Sequence, residues 1–414
     1  MTRYWMGGAG LCAMIAITVA AVLLNSPTGP RLVGIRVEFL LFALTLIGVA
    51  LFHTRTFEVA LTGLAAILTV RLLTDAEFDL TGHFAVEAPV LLNLLGLLLG
   101  FAVLARHFEE SQAPKLMPRV LPDNWSGGFV LLLLIFVLSS FLDNIAAAMI
   151  GATVAKQVFR DELDIGYLAA IVAASNAGGA GSVVGDTTTT MMWIQGVPAL
   201  DVLHAYVAAV PALLFFGIAA SRQQHRLQPI QADPVGHPEL RYRHLSSVLL
   251  ILVGAIAANV LLELPAAGVW AAIVIAALFT PTDWKIVPAS LKGSLFLIAL
   301  VSCASLMPVE DLPEASWQSA FGLGWISAVF DNIPLTKLAL EQGGYDWGVL
   351  AYAVGFGGSM VWFGSSAGVA LTNLFPEGRT VFGWIRRGWH VVVGYALGFF
   401  VLLLLVGWEP PVIP

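Results

Sequence analysis

The sequence predicts an all-α polytopic membrane protein: two inverted repeats, each with a re-entrant hairpin and an interrupted helix, plus one extra N-terminal span, about 11 crossings in all. Three observations carry this. Of 414 residues, 58% are hydrophobic and 11% charged, whereas soluble domains are about 25% charged. Apolar runs of membrane-spanning length, about 20 residues, recur from end to end. Two polar motifs, LDNI at 142–145 and FDNI at 330–333, interrupt those runs at matching places.

The runs are continuous rather than alternating, so helices are the spanning element. The first, near 5–25, lacks a small-residue cleavage site leading into a soluble domain and reads as a retained span within unit 1–33. Further spans are expected near 34–52, 56–74 and 87–105. The stretch 128–159 is too long for one span and carries Ser-Ser and Asp-Asn at its centre, which predicts a hairpin turning at about Asp143. An apolar segment with a Gly/Thr-rich middle, 166–195, and a span near 199–220 complete the first repeat, 34–220.

Residues 221–244 are polar and read as a cytoplasmic linker. The pattern then restarts in the second repeat, 245–414. It has spans near 245–262, 266–280 and 289–306, a hairpin at 318–340, an interrupted segment at 348–375 and a span near 384–407. AGGAGSVVGDT at 177–187 answers FGGSMVWFGSS at 356–366: a Gly-Gly pair, then a single Gly six residues on, at Gly185 and Gly364. Asp186 thereby pairs with Ser365. A hairpin adds no crossing, so each repeat crosses five times and the second is inverted. With the N-terminus in the cytoplasm and the C-terminus outside, most Lys/Arg loops fall inside, and the acidic 74–79 and 308–314 fall outside.

Inverted repeats with helices interrupted at matching positions point to a secondary transporter whose site lies near the midplane. Gly178, Gly179, Gly185, Gly357, Gly358 and Gly364 are the positions where the backbone can unwind. Three acids converge in this reading: Asp143 and Asp331 at the hairpin tips and Asp186 in the first interrupted helix. Asn144, Asn176, Ser182, Thr187, Thr188, Asn332, Ser359, Ser365 and Ser366 add oxygen ligands, with Ser139, Ser140 and Ser327 nearby. Carboxylates, hydroxyls and carbonyls suit a hard cation. The site is therefore read as one for Na⁺ (or Li⁺) at Asp143, Asp186 and Asp331. Burial and mutual repulsion hold protons on carboxylates, so a group that binds either H⁺ or a metal ion, never both, is the minimal antiport device.

The segment 176–196 resembles the signature of NhaD-type sodium/proton antiporters, and 331–335 and 355–369 resemble that family's second-half motifs. The resemblance implies the ion transporter superfamily, shared with arsenite and di/tricarboxylate carriers. It further implies a homodimer with scaffold and transport domains, in a prokaryotic cytoplasmic (inner) membrane. No cofactor, nucleic-acid partner or enzymatic activity is expected; the partners are Na⁺ or Li⁺, H⁺ and the lipid bilayer. In the dicarboxylate branch the hairpin tips carry Ser-Asn-Thr, whereas here they read Asp143-Asn144-Ile145 and Asp331-Asn332-Ile333. Lys337 departs from the sodium/proton branch, as a possible charge partner of an aspartate or a residue snorkelling to the outer surface.

Several features have blander readings. Asp143 and Asp331 can simply cap half-helices, and the Gly-Gly pairs can be close-packing positions. Within Thr187–Thr190 one or two members face the site while the others bond backbone carbonyls. His53, His204, His225, His244 and His390 read as span-edge or linker residues, Glu109 and Glu110 as a solvated loop, and Trp284, Trp317, Trp384 and Trp408 as interfacial anchors. Cys12 and Cys303 read as small core residues. The alternatives are a sodium-coupled carrier of an anion (dicarboxylate or citrate type) or of an arsenite-type oxyacid, and, more remotely, an intramembrane aspartyl protease, half of whose motif is missing here.

Overall fold

The computed structural model describes residues 30–411, except 33, 53, 54 and 232–238. The expected first span, His53 and Cys12 lie outside the described residues. The described residues form eighteen α-helices, beside a two-residue-per-strand hairpin at Arg31–Leu32 and Ile35–Arg36. The first three helices, α1 (Val37–Leu51), α2 (Thr56–Thr74) and α3 (Leu80–Glu110), match expected spans, although α3 runs about one turn beyond the expected span at its C-terminal end and two at its N-terminal end. Its N-cap Asp79 accepts from Thr81 N–H, so the helix starts well before its apolar stretch.

A helical hairpin follows, α4 (Trp125–Ser139) and α5 (Asn144–Val158), broken at 140–143. Its arms pack antiparallel: a Cβ on Gly151 would lie 2.2 Å from Ile135, eight residues the other side of Asp143. The first interrupted segment is α6 (Ile165–Ala180) and α7 (Thr187–Ile194). Next come the short α8 (Ala199–Leu203) and α9 (Ala205–Leu227), which carries helix seven residues into the polar stretch read as linker.

The second half has α10 (Tyr242–Leu262), α11 (Pro265–Ala277) and α12 (Ile286–Ser305). Its hairpin is α13 (Trp317–Ser327) and α14 (Asn332–Gln342), and its interrupted segment α15 (Trp347–Gly357) and α16 (Ser366–Leu374). The expected last span is not one helix. It is α17 (Val381–Arg387) and α18 (Trp389–Leu405), bent by 63° at Gly388, where a Cβ would meet the Trp384 carbonyl at 2.6 Å.

Among the described residues, α2, α3, α8–α9 together, α10 and α12 are long and apolar enough to cross a bilayer, and the bent α17–α18 pair makes a sixth. The chain is a multi-pass membrane protein. The hairpin arm α4 and half-helices α6 and α15 are apolar but shorter, as are α1 and α11. Leu249, Val253, Ile256 and Val260 along α10 are exposed, an apolar stripe at helical spacing.

Two apolar cores organise the molecule. The larger joins both hairpins and both interrupted segments to α9 and α18. The smaller joins α1, α2 and α12, with Leu94 of α3 and with Ile333 and Leu338 of the second hairpin. Within the larger core the halves pack crosswise, α5 against α16 and α14 against α7. That crossing brings the two helix breaks together.

Candidate functional site

Asp143, Asp186 and Asp331 each stand at the N-cap of the helix that follows a chain break. In each, Oδ1 accepts a backbone N–H two residues on, from Ile145 (2.9 Å), Thr188 (3.1 Å) and Ile333 (3.1 Å). Ser365 caps the start of α16, its Oγ accepting from Gly368 N–H three residues on at 3.3 Å. Capping occupies one oxygen of each acid and fixes its rotamer. The other oxygen is left for the site.

What those second oxygens meet differs. Asp331 Oδ2 accepts from the Ser366 hydroxyl at 3.1 Å. Thr187 interacts with Asp143. Asp186 is 2% exposed, and among the described residues its Oδ2 has no hydrogen-bond partner, nor have the buried Thr188 Oγ1, Ser139 Oγ and Asn332 Nδ2. Asp143 and Asp331 both lie close enough to act electrostatically on Asp186. A buried carboxylate oxygen and hydroxyl without protein partners are costly unless a further ligand meets them. Oxygen donors of this kind fit a hard cation.

An amide relay spans the halves. Asn144 Nδ2 donates to Asn176 Oδ1 (3.0 Å), and Asn176 Nδ2 donates to Ser359 Oγ (3.0 Å). The threonine run divides: Thr189 and Thr190 hydroxyls donate to carbonyls of Ser182, Val183 and Asp186, while Thr187 and Thr188 face the acids. The Ser182 hydroxyl accepts from Val184 N–H inside the break, at 3.4 Å. A cavity of about 240 Å³ reaches Asp331 and Ser366 from the side of α1, with Thr56 and Asn373 among its walls.

The glycines are tight, and in corresponding ways. A Cβ on Gly178 would lie 2.1 Å from the Phe136 carbonyl, and one on Gly357 2.2 Å from the Gly324 carbonyl. Gly179 and Gly358 face the carbonyls of Gly185 and Gly364, both at 2.7 Å. Gly185 and Gly364 abut the hairpin carbonyls of Ser139 and Ala328, at 2.1 and 2.5 Å. Side chains there would push hairpin and broken helix apart.

Over residues 39–357 the chain matches the family described as citrate transporters, CitMHS. The chain belongs to the citrate-transporter family. It is 28% identical over 68% of its length to a Na⁺/H⁺ antiporter NhaD of Alkalimonas amylolytica, covering 69% of that protein. It is 28% identical over 66% of its length to sodium/proton antiporter 1 of Arabidopsis thaliana, covering 54% of that one, and 26% identical to an NhaD of Vibrio parahaemolyticus, over 66% of this chain and 78% of that protein. With the family match, these relatives make it an NhaD-type transporter of the ion transporter superfamily.

In this family member Lys337 pairs with none of the three aspartates and does not snorkel. It is 1% exposed, with Nζ 2.9 Å from Glu87 Oε2 of α3 and 2.5 Å from Glu341 Oε1. Glu87 was not singled out from the sequence; its only signal is an acid at the edge of an apolar run. Replacing Lys337 by Met should leave Glu87 buried beside a second carboxylate, at a cost of about 3–5 kcal/mol. A fall in the thermal unfolding midpoint in detergent, partly recovered by adding Glu87→Gln, is the expected result.

Trp384 is also corrected. Rather than anchoring at an interface it is 1% exposed, and its Nε1 donates to the Ser359 carbonyl at 3.1 Å, fixing the second break from behind. Gly355 is a further residue that sequence reasoning passed over. It lies three residues before Gly358, as Asn176 does before Gly179, and a Cβ there would sit 3.6 Å from Asp186 Oδ2. Where the first half has an amide, the second leaves room beside the carboxylate.

Proposed function

We propose that the chain is a secondary active transporter exchanging Na⁺ (or Li⁺) for H⁺ by alternating access, with Asp143, Asp186 and Asp331 as the cation and proton sites. The observation that carries this is the buried Asp186 Oδ2, without a hydrogen-bond partner among the described residues, beside the Thr188 side chain and within reach of two further carboxylate charges. Each acid is pre-positioned by its cap, so an arriving ion meets oriented oxygens. One carboxyl that gains a proton as the cation leaves couples the two fluxes. Relatives named for sodium/proton exchange support the same ions.

The matched glycine–carbonyl contacts support reading the halves, 34–220 and 245–414, as inverted repeats with re-entrant hairpins. In that arrangement the C-terminus lies outside, the Arg106 end of α3 lies in the cytoplasm and the membrane is the prokaryotic inner one. The homodimer expected from the family resemblance belongs to the same proposal.

A citrate or dicarboxylate cargo finds less support: the site offers carboxylates, and Lys337 is committed to Glu87 and Glu341. The deciding experiment uses proteoliposomes holding a pH-reporting dye, with Na⁺, Li⁺, K⁺, citrate, succinate and arsenite added in turn. Na⁺ or Li⁺ should move protons while K⁺ and the oxyanions do not. A proton flux driven by citrate, succinate or arsenite alone would overturn the assignment.

A further inference from the structure

At the far end of α3, about 30 Å along the helix from Glu87, a second set of metal-ligating groups meets. His107 and Glu110, three residues apart and so on one helix face, converge with His244 from the first turn of α10. Their ligand atoms all lie within 4.8 Å of one another. His107 Nδ1 is 3.1 Å from His244 Nδ1, and Glu110 Oε2 is 3.6 Å from the same His244 nitrogen. Both histidines are buried, while Glu110 is 25% exposed. Read from the sequence alone, His244 is a span-edge or linker histidine and Glu110 a solvated acid, and His107 is not singled out; packing α3 against α10 brings the three into one cluster.

The hydrogen bonds around the cluster favour a particular tautomer. The Thr282 hydroxyl donates to the Thr280 carbonyl at 3.3 Å, so its lone pair accepts from His107 Nε2–H at 3.4 Å. That leaves His107 Nδ1 as a bare lone pair aimed at His244. The arrangement is the outer-shell support that orients metal-bound imidazoles. The two separations from His244 Nδ1, 3.1 and 3.6 Å, lie close to the edge, about 3.3 Å, of a tetrahedron with bonds of 2.0–2.1 Å. Arg106 engages the other oxygen of Glu110, with Nε 3.1 Å from Oε1, and is itself shared with Glu109 and Asp283. Oε2 therefore stays directed at the histidines.

We propose that His107, Glu110 and His244 form a binding site for a first-row divalent metal ion of the Zn²⁺ type, separate from the transport site. Imidazole with one carboxylate selects such an ion over Na⁺ or Mg²⁺, and the exposed side of Glu110 leaves the fourth position to water. Bound metal ties the end of α3 to the start of α10.

The test uses tag-free, chelator-washed, full-length protein in detergent, titrated with Zn²⁺ against a chromophoric chelator, and with Co²⁺ read by visible absorption. One Zn²⁺ per chain and the intense visible bands of tetrahedral Co²⁺ are expected. Both should vanish in His244→Gln, and Thr282→Val should weaken binding about tenfold or more. His107 is too buried to be the primary variant. The absorption spectrum of the unmutated protein tests the geometry without any substitution. No saturable binding, weak octahedral Co²⁺ bands, or a stoichiometry unchanged in His244→Gln would overturn the proposal; the last would place the metal at other carboxylates.

Discussion

Asp186→Asn is expected to reduce sodium-driven proton movement in proteoliposomes to background while leaving the protein folded. Asparagine keeps the size of the side chain and its Oδ1 still accepts from Thr188 N–H, so the N-cap of α7 survives. What is lost is the charge on Oδ2, the buried atom without a protein partner. A charged ligand contact is worth about 1.5–3 kcal/mol, or roughly tenfold to a hundredfold in affinity, and the group that exchanges proton for cation disappears with it. The thermal midpoint should hold steady or rise, because a buried acid among like charges is replaced by a neutral amide. Asp331→Asn should act more mildly, since Asp331 Oδ2 already accepts from Ser366 and the partly buried tip retains that hydroxyl. If Asp186→Asn exchanged ions at the unmutated rate with the fold intact, the carboxylate would have no part in transport.

The chain breaks were legible because their chemistry is local. An aspartate followed by a helix-forming run is an N-cap signal wherever it stands, and Asp143, Asp186 and Asp331 all cap the helices that follow them. The Gly-Gly pairs were legible for the same reason, since their spacing repeats within a short window. Contacts between distant elements were not. Lys337 and Glu87 are 250 residues apart, and nothing in either neighbourhood names the other, so Lys337 had only its own stretch in which to find a partner. His107 and His244 are 137 apart and met the same obstacle. The bend at Gly388 was hidden for a different reason: two arginines before an apolar run look like the headgroup edge of a straight span, and only the clash of any Cβ with the Trp384 carbonyl marks the turn. Gly355 escaped notice because its contribution is the absence of a side chain, beside a carboxylate in the other half.

Gly185→Ala is expected to be strongly damaging, for a single added methyl at the molecule's centre. The added Cβ would fall 2.1 Å from the Ser139 carbonyl and 3.0 Å from Gly179 Cα. Both are backbone atoms, so no rotamer change relieves the contact, and the first hairpin must move off the broken helix. Overpacking a rigid core costs about 1–3 kcal/mol and occasionally more. Here the movement also separates Asp143, on the hairpin, from Asp186, the residue after Gly185. Transport should therefore fall further than the drop in thermal midpoint alone would produce. Gly364→Ala should behave alike, against the Ala328 and Gly358 carbonyls at 2.5 and 2.7 Å. Gly355→Ala is the informative contrast, since its Cβ meets Ala180 Cβ at 3.4 Å, an ordinary contact. That variant should fold with an unchanged midpoint yet bind the cation less well, because the new methyl stands 3.6 Å from Asp186 Oδ2. Midpoints by intrinsic fluorescence, beside the sodium concentration for half-maximal exchange, separate the two effects: Gly185→Ala should move both, Gly355→Ala only the second. Equal midpoints for all three variants would mean that the hairpin–helix contact through Gly185 is not the tight joint that fixes Asp143 against Asp186.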